Sequence, residues 1–122
     1  MTPTEIITQN IKAIGKNPAP VLRWLAKLLK TKKAVLLRHG ESVLVLNQIG
    51  PQQAELHLFT ADKPMALMQA LKDFVKKIKD SDLERVYGKA DNQQIVKALG
   101  AVGVNVQESD KPKYNWMALV ED

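Results

Sequence analysis

Cysteine is absent from this chain of 122 residues, which removes disulfides, thiolate metal sites and a cysteine nucleophile from its chemistry. Histidine occurs only as His39 and His57, too sparsely for a His-rich metal site. No apolar run approaches the roughly 18–20 residues of a membrane span. The opening Met1-Thr2-Pro3-Thr4-Glu5 lacks the basic start and apolar core of a secretory signal. There is no P-loop or dinucleotide fingerprint, and Ser42, Ser81 and Ser109 have no nucleophile-elbow motif around them. Asp80, Asp82 and Glu84 alternate like oxygen ligands but lack the glycine and terminal glutamate of an EF-hand, so a solvated turn is expected and no metal site is assigned. Acidic residues are missing between Glu5 and Glu41, where Lys12, Lys16, Arg23, Lys27, Lys30, Lys32, Lys33 and Arg38 lie. Ten basic and twelve acidic residues remain in 41–122, so the net charge of +5 belongs to the N-terminal part. A basic patch of Arg23, Lys27, Lys30, Lys32, Lys33 and Arg38 suits nucleic acid, an anionic membrane surface or an acidic protein face, and equally reads as a solvated basic face.

What is present is enough apolar residue, 45% of the chain, to build one unstapled core. Thr4 can cap a first helix with Ile7, Ile11 and Ile14 on its stripe, ended by Gly15 and Asn17-Pro18. Pro20 opens a second helix with Val21, Leu22, Trp24, Leu25, Leu28 and Leu29 on its apolar face. This basic helix with Trp and Leu opposite has the character of an interfacial segment, though cover for a sheet is the plainer expectation. Strands are expected over Lys33–Arg38, Ser42–Ile49 and Gln53–Thr60, joined by a tight His39-Gly40 turn and a Gly50-Pro51 break. The Val43-Leu44-Val45-Leu46 run implies cover on both faces, and alternation puts Ala54, Leu56 and Leu58 on one face and Glu55, His57 and Phe59 on the other. Asp62 can cap a third helix with Leu67, Met68, Leu71, Phe74, Val75 and Ile78 on its buried stripe. A strand Leu83–Gly88, a helix Asp91–Leu99 stopped by Gly100, a strand Ala101–Gln107, a turn at Asp110–Lys113 and a strand Tyr114–Val120 complete the chain.

Two pieces then resemble a known family. Val96-Lys97-Ala98-Leu99-Gly100-Ala101-Val102, inside Tyr87–Val102, looks like the helix-end segment of small acetyltransferase-like proteins of tailed bacteriophages. Glu55-Leu56-His57-Leu58-Phe59-Thr60 looks like the strand beside the cofactor in the GNAT N-acetyltransferases. The order of elements over about 4–121 is also that of the GNAT fold. The resemblance implies a single α/β domain (a basic helical part over 4–31, then sheet and helices over 33–121) with a mixed, largely antiparallel central sheet flanked by helices. It implies that, if acetyl-CoA binds, Leu58, Phe59, Thr60, Lys63 and Ala66 lie against it. The family's phosphate loop, Gln/Arg-x-x-Gly-x-Gly/Ala, meets Thr60-Ala61-Asp62-Lys63-Pro64-Met65-Ala66-Leu67 here. That stretch has neither glycine, Pro64 removes an amide donor, and Asp62 places a negative charge near the phosphate position. The family's tyrosine acid falls on Val96, whereas Glu55 with His57 is the candidate base pair. These features lead to the expectation of a phage-encoded domain acting without a cofactor as a virion component or protein-binding module, in the host cytoplasm or the virion. The alternatives are an acetyl-CoA-dependent N-acetyltransferase with an atypical loop, and a nucleic-acid binder using the basic segment.

Overall fold

Helix α1 spans Pro3–Ala13 because Thr2, not Thr4, caps it. The Thr2 hydroxyl accepts from the Glu5 N–H at 3.2 Å and the Glu5 carboxylate accepts from the Thr2 N–H at 3.1 Å, a reciprocal capping box. This start rotates the buried stripe onto Ile6, Ile7 and Ile11 and leaves Ile14 63% exposed. Gly15, at φ 77, ends the helix as expected: its N–H bonds Lys12 and the Lys16 N–H bonds Ile11, closing a Schellman motif. Helix α2, Ala19–Lys30, starts with Pro20 in its first turn. The computed structural model describes residues 1–89 and 93–120, with only the helical backbone for 93–95.

The strands are β1 (Ala34–His39), β2 (Ser42–Gly50), β3 (Gln53–Thr60), β4 (Arg85–Gly88), β5 (Val106–Glu108) and β6 (Trp116–Leu119), in the sheet order β1-β2-β3-β4-β6-β5. All neighbours are antiparallel except β3 and β4, which α3 (Pro64–Lys79) joins as a parallel pair. The first hairpin turns on Gly40-Glu41 rather than His39-Gly40, since His39 still pairs with Ser42. Gly50 likewise still pairs with Gln53, so the second turn is Pro51-Gln52, with Gln52 at φ 57.

Strand β2 is covered on both faces. Val43 and Val45 pack with Ile6, Ile7, Ile11 and Leu25 of α1 and α2, while Leu44 and Leu46 pack with Leu71, Phe74 and Ile78 of α3 and Leu99 of the fourth helix. Fully burying Ile6 and Ile7 contributes about 1.5–3 kcal/mol each.

The last third departs most from expectation. Helix α4 covers Gln93–Ala101, and the expected start at Asp91 lies outside the described residues. Gly100 is inside the helix, and the stop is Gly103 at φ 88. The Gly103 N–H bonds Gly100 and the Val104 N–H bonds Leu99, a second Schellman motif with Leu99 and Val104 in one core. The chain therefore resumes as strand only at Val106, and β4 and β6 are shorter than their apolar runs suggested.

Candidate active site at the divergence of two strands

Strands β3 and β4 pair only over Gln53–Glu55 with Arg85–Tyr87, whereas β3 stays paired to β2 as far as Thr60. Beyond Glu55, no described residue pairs with β3 on the β4 side. The Ala61 N–H bonds the Glu41 carbonyl at 2.9 Å, which fixes the phase of the β2–β3 ladder. By antiparallel alternation, Glu55, His57 and Phe59 direct their backbone groups to β2, and Leu58 and Thr60 direct theirs into the gap. The Asn10 amide of α1 reaches the Thr60 carbonyl there, at 2.9 Å. Phe59 places its ring among the α1–α2 layer.

At the far end of the gap, α3 begins with donors to spare. Lys63 is the N-cap and makes no side-chain cap bond, Pro64 has no N–H, and the first intrahelical bond is Leu67 N–H to the Lys63 carbonyl at 2.9 Å. Helix geometry therefore leaves the Met65 and Ala66 amides without intrahelical partners, and Met65 is 86% exposed. Asp62 does not cap this helix. Its carboxylate accepts from the Glu41 N–H at 3.1 and 3.2 Å and from the buried Ser42 hydroxyl at 2.6 Å. The Thr60 hydroxyl lies 2.7 Å from that of Ser42 and accepts from the Asp62 N–H at 3.0 Å, closing the network. The acidic charge is thus committed to the β1–β2 hairpin, and the first turn of α3 contains no acidic residue. An anion is favoured at such a helix start.

Glu55 stands where the two strands part. Its side chain is 12% exposed; Oε2 accepts from the Tyr114 hydroxyl at 2.6 Å and Oε1 from the Asn47 amide at 2.9 Å. His57 Nε2 lies 3.4 Å from Oε1, and its ring meets Trp24 of α2 edge-on at 4.7 Å. Burial pushes the Glu55 carboxyl up, but the Tyr114 and Asn47 hydrogen bonds and the neighbouring His57 outweigh it and hold the group below its usual value. Burial, with the Glu55 carboxylate beside it, pushes the Tyr114 phenol up to about 12. The pair is therefore a carboxylate and a neutral phenol at neutral pH. The Tyr87 ring packs 5.4 Å from that of Tyr114, and Asp110 ties the following loop to β4 through the Tyr87 hydroxyl (2.9 Å) and Arg85 (3.0 Å).

Sequence reading brought Glu55 and His57 together but missed Asn47 and Tyr114. Asn47 is opposite Glu55 in the β2–β3 register, so strand pairing was its available signal. Tyr114 is 59 residues away from Glu55 and carries no local signal. Val96, at the family's tyrosine position, packs against the core between α3 and the sheet. Arg23, Lys27, Lys30, Lys32 and Lys33 are exposed on α2 and the turn after it. Arg38 is exposed at the opposite end of β1, 3.8 Å from Glu41.

A mostly antiparallel sheet between helix pairs, with its parallel strands diverging beside a long helix start, defines the GNAT acetyltransferase fold. Solved structures with that fold include Tetrahymena GCN5 (TM-score 0.60, 14% identity, 95% of this chain and 82% of that one). They also include the IAA acetyltransferase of Bacillus cereus (0.58, 12%, 96% and 89%). A third is the microcin C7 self-immunity acetyltransferase MccE, in complex with acetyl-CoA and AMP (0.54, 15%, 94% and 81%). No family model and no curated protein matches the sequence.

Proposed function

We propose that the protein is an acetyl-CoA-dependent N-acyltransferase whose phosphate loop works without glycines. The observation that carries this reading is that among the described residues β3 has no β4 partner beyond Glu55, with strand amides facing that side and α3 amides without side-chain caps at its end. Backbone donors need no particular side chain, so the missing glycines cost less than the sequence suggests; Asp62, bound to Ser42 and Glu41, leaves the anion position. The Leu58 backbone and the Thr60 N–H would hold the pantetheine arm, since Asn10 already bonds the Thr60 carbonyl, and the Met65 and Ala66 amides with Lys63 the pyrophosphate. The cofactor supplies an activated acyl group. Glu55, charged at neutral pH, accepts the proton of the acceptor amine. His57 beside it assists, and Tyr114 and Asn47 fix the carboxylate. Acetyl-CoA should raise the melting temperature saturably by mass action, and Glu55→Gln should abolish turnover while leaving that rise intact. No rise at millimolar cofactor would overturn the reading.

A second reading keeps the fold and drops the chemistry. In it the protein is a phage-encoded binding or virion component. The observation favouring it is that both Glu55 oxygens already have partners, and such a base competes poorly for a substrate proton. Its mark would be no response to cofactor together with recovery in an assembled particle.

A further inference from the structure

A partly open apolar pocket lies where α3 finishes, and Leu56, the first β3 residue beyond the β3–β4 pairing, lines it. It holds about 130 Å³ and is walled by Val75, Ile78, Leu99, Val104 and Val120, with the exposed Lys79 and Asn105 at its mouth. A cavity of about 150 Å³ lined by aliphatic side chains stays dry and takes a benzene-sized molecule. Next to the mouth is a shallow depression sharing Val75 and Lys79, and there Lys72, Lys76 and Lys79 stand with one acid, Asp80. Their spacing of four and three residues puts the lysines on one line of α3. None of them is in an ion pair among the described residues, whereas Lys77, on another line, is held by Asp73 at 2.9 Å.

We propose that this cavity is a second binding site, for a small anionic amphiphile: a carboxylate whose unbranched tail of about six carbons enters the cavity while its head meets Lys79. The apolar walls select the tail and the lysine row selects the sign of the head. Its walls come from α3, α4, β4 and β6, and Leu56 brings it up to the β3 stretch that borders the gap.

The test is a titration of the isotopically labelled full chain with butanoate, hexanoate, octanoate and decanoate, followed by amide shifts. Saturable shifts should centre on Val75, Ile78, Val104 and Val120. Affinity should rise about fourfold per added methylene until the cavity is full, then level off. Lys79→Glu, at an exposed position, should weaken hexanoate about fivefold and leave hexan-1-ol unaffected. Val104→Phe, shown by its melting to be folded, should remove the shifts by filling the space. Hexan-1-ol binding as tightly as hexanoate, affinity that keeps rising with tail length, or no saturable shift at millimolar hexanoate would each overturn the proposal.

Discussion

Glu55 and Tyr114 share a part-buried hydrogen bond, and burial together with Asn47 and His57 helps it set their two protonation states. The carboxylate is held below its usual 4.5 and the phenol is lifted to about 12. A depressed carboxyl stabilises the fold above its unfolded-state pKa, and that contribution is lost as pH falls through the lower folded value. Glu55→Gln should therefore flatten the acid limb of a stability-against-pH profile measured by urea midpoint. A raised phenol acts in the opposite sense. Its contribution is complete below about pH 10 and disappears as pH climbs through 12. Ultraviolet titration should accordingly show a phenol ionising near 12, absent from Tyr114→Phe; a Tyr114 that ionised at its usual value of 10 would break the proposed pair. Gly88 is a second point where one residue decides. A Cβ there would sit 2.2 Å from Cζ2 of the opposing Trp116 ring, which is buried in the core and has little room to give. Gly88→Ala should cost about 1–3 kcal/mol by overpacking, read from the denaturation midpoint.

At the scale of elements, the readable parts were those whose signals lie within a turn or a strand. The stripe of α3 from Leu67 to Ile78 and the two-faced run Val43–Leu46 needed only periodicity. The starts and stops were harder, because each depends on which of several competent residues is used. Thr2 and Thr4 are both capable caps, and the Glu5 three residues after Thr2 decides between them. Gly100 and Gly103 are both capable stops, and the positive φ falls on Gly103 because Val104 then reaches Leu99. Asp62 is a proper capping type drawn instead to a buried hydroxyl across the hairpin, a pull invisible along the chain. Asp62→Ala should therefore destabilise the β1–β2 hairpin by leaving the Ser42 hydroxyl and Glu41 N–H short of an acceptor, at about 1–3 kcal/mol. Asp62→Asn should recover part of that loss. Helix α3, which Asp62 does not cap, should keep its protection from hydrogen exchange in both variants; loss confined to the first turn of α3 would restore the capping role.

For the molecule as a whole, the order of elements was legible and the meeting of distant residues at Glu55 was not, since Tyr114 and Asn47 arrive only when the sheet is assembled. Charge follows a similar division. The sequence located the excess in the N-terminal part; the fold separates it, leaving Arg23, Lys27, Lys30, Lys32 and Lys33 around α2 and carrying Arg38 off to Glu41. Trp24, the aromatic nearest this patch in sequence, sets its ring against His57, and Tyr87 and Tyr114 are buried. The patch therefore offers cations without a stacking platform, which suits contact with phosphates and gives no base readout. If the patch meets nucleic acid, retention on DNA should be indifferent to sequence and fall steeply with salt. Reversing Lys27, Lys30, Lys32 and Lys33 should abolish it and take about 3–4 from the logarithmic salt slope if all four meet phosphates. These side chains project from the surface of α2 and the turn after it, away from the start of α3, so the same variant should keep the wild-type thermal response to acetyl-CoA. Loss of both responses together would mean that the basic patch and the gap beyond Glu55 are one site.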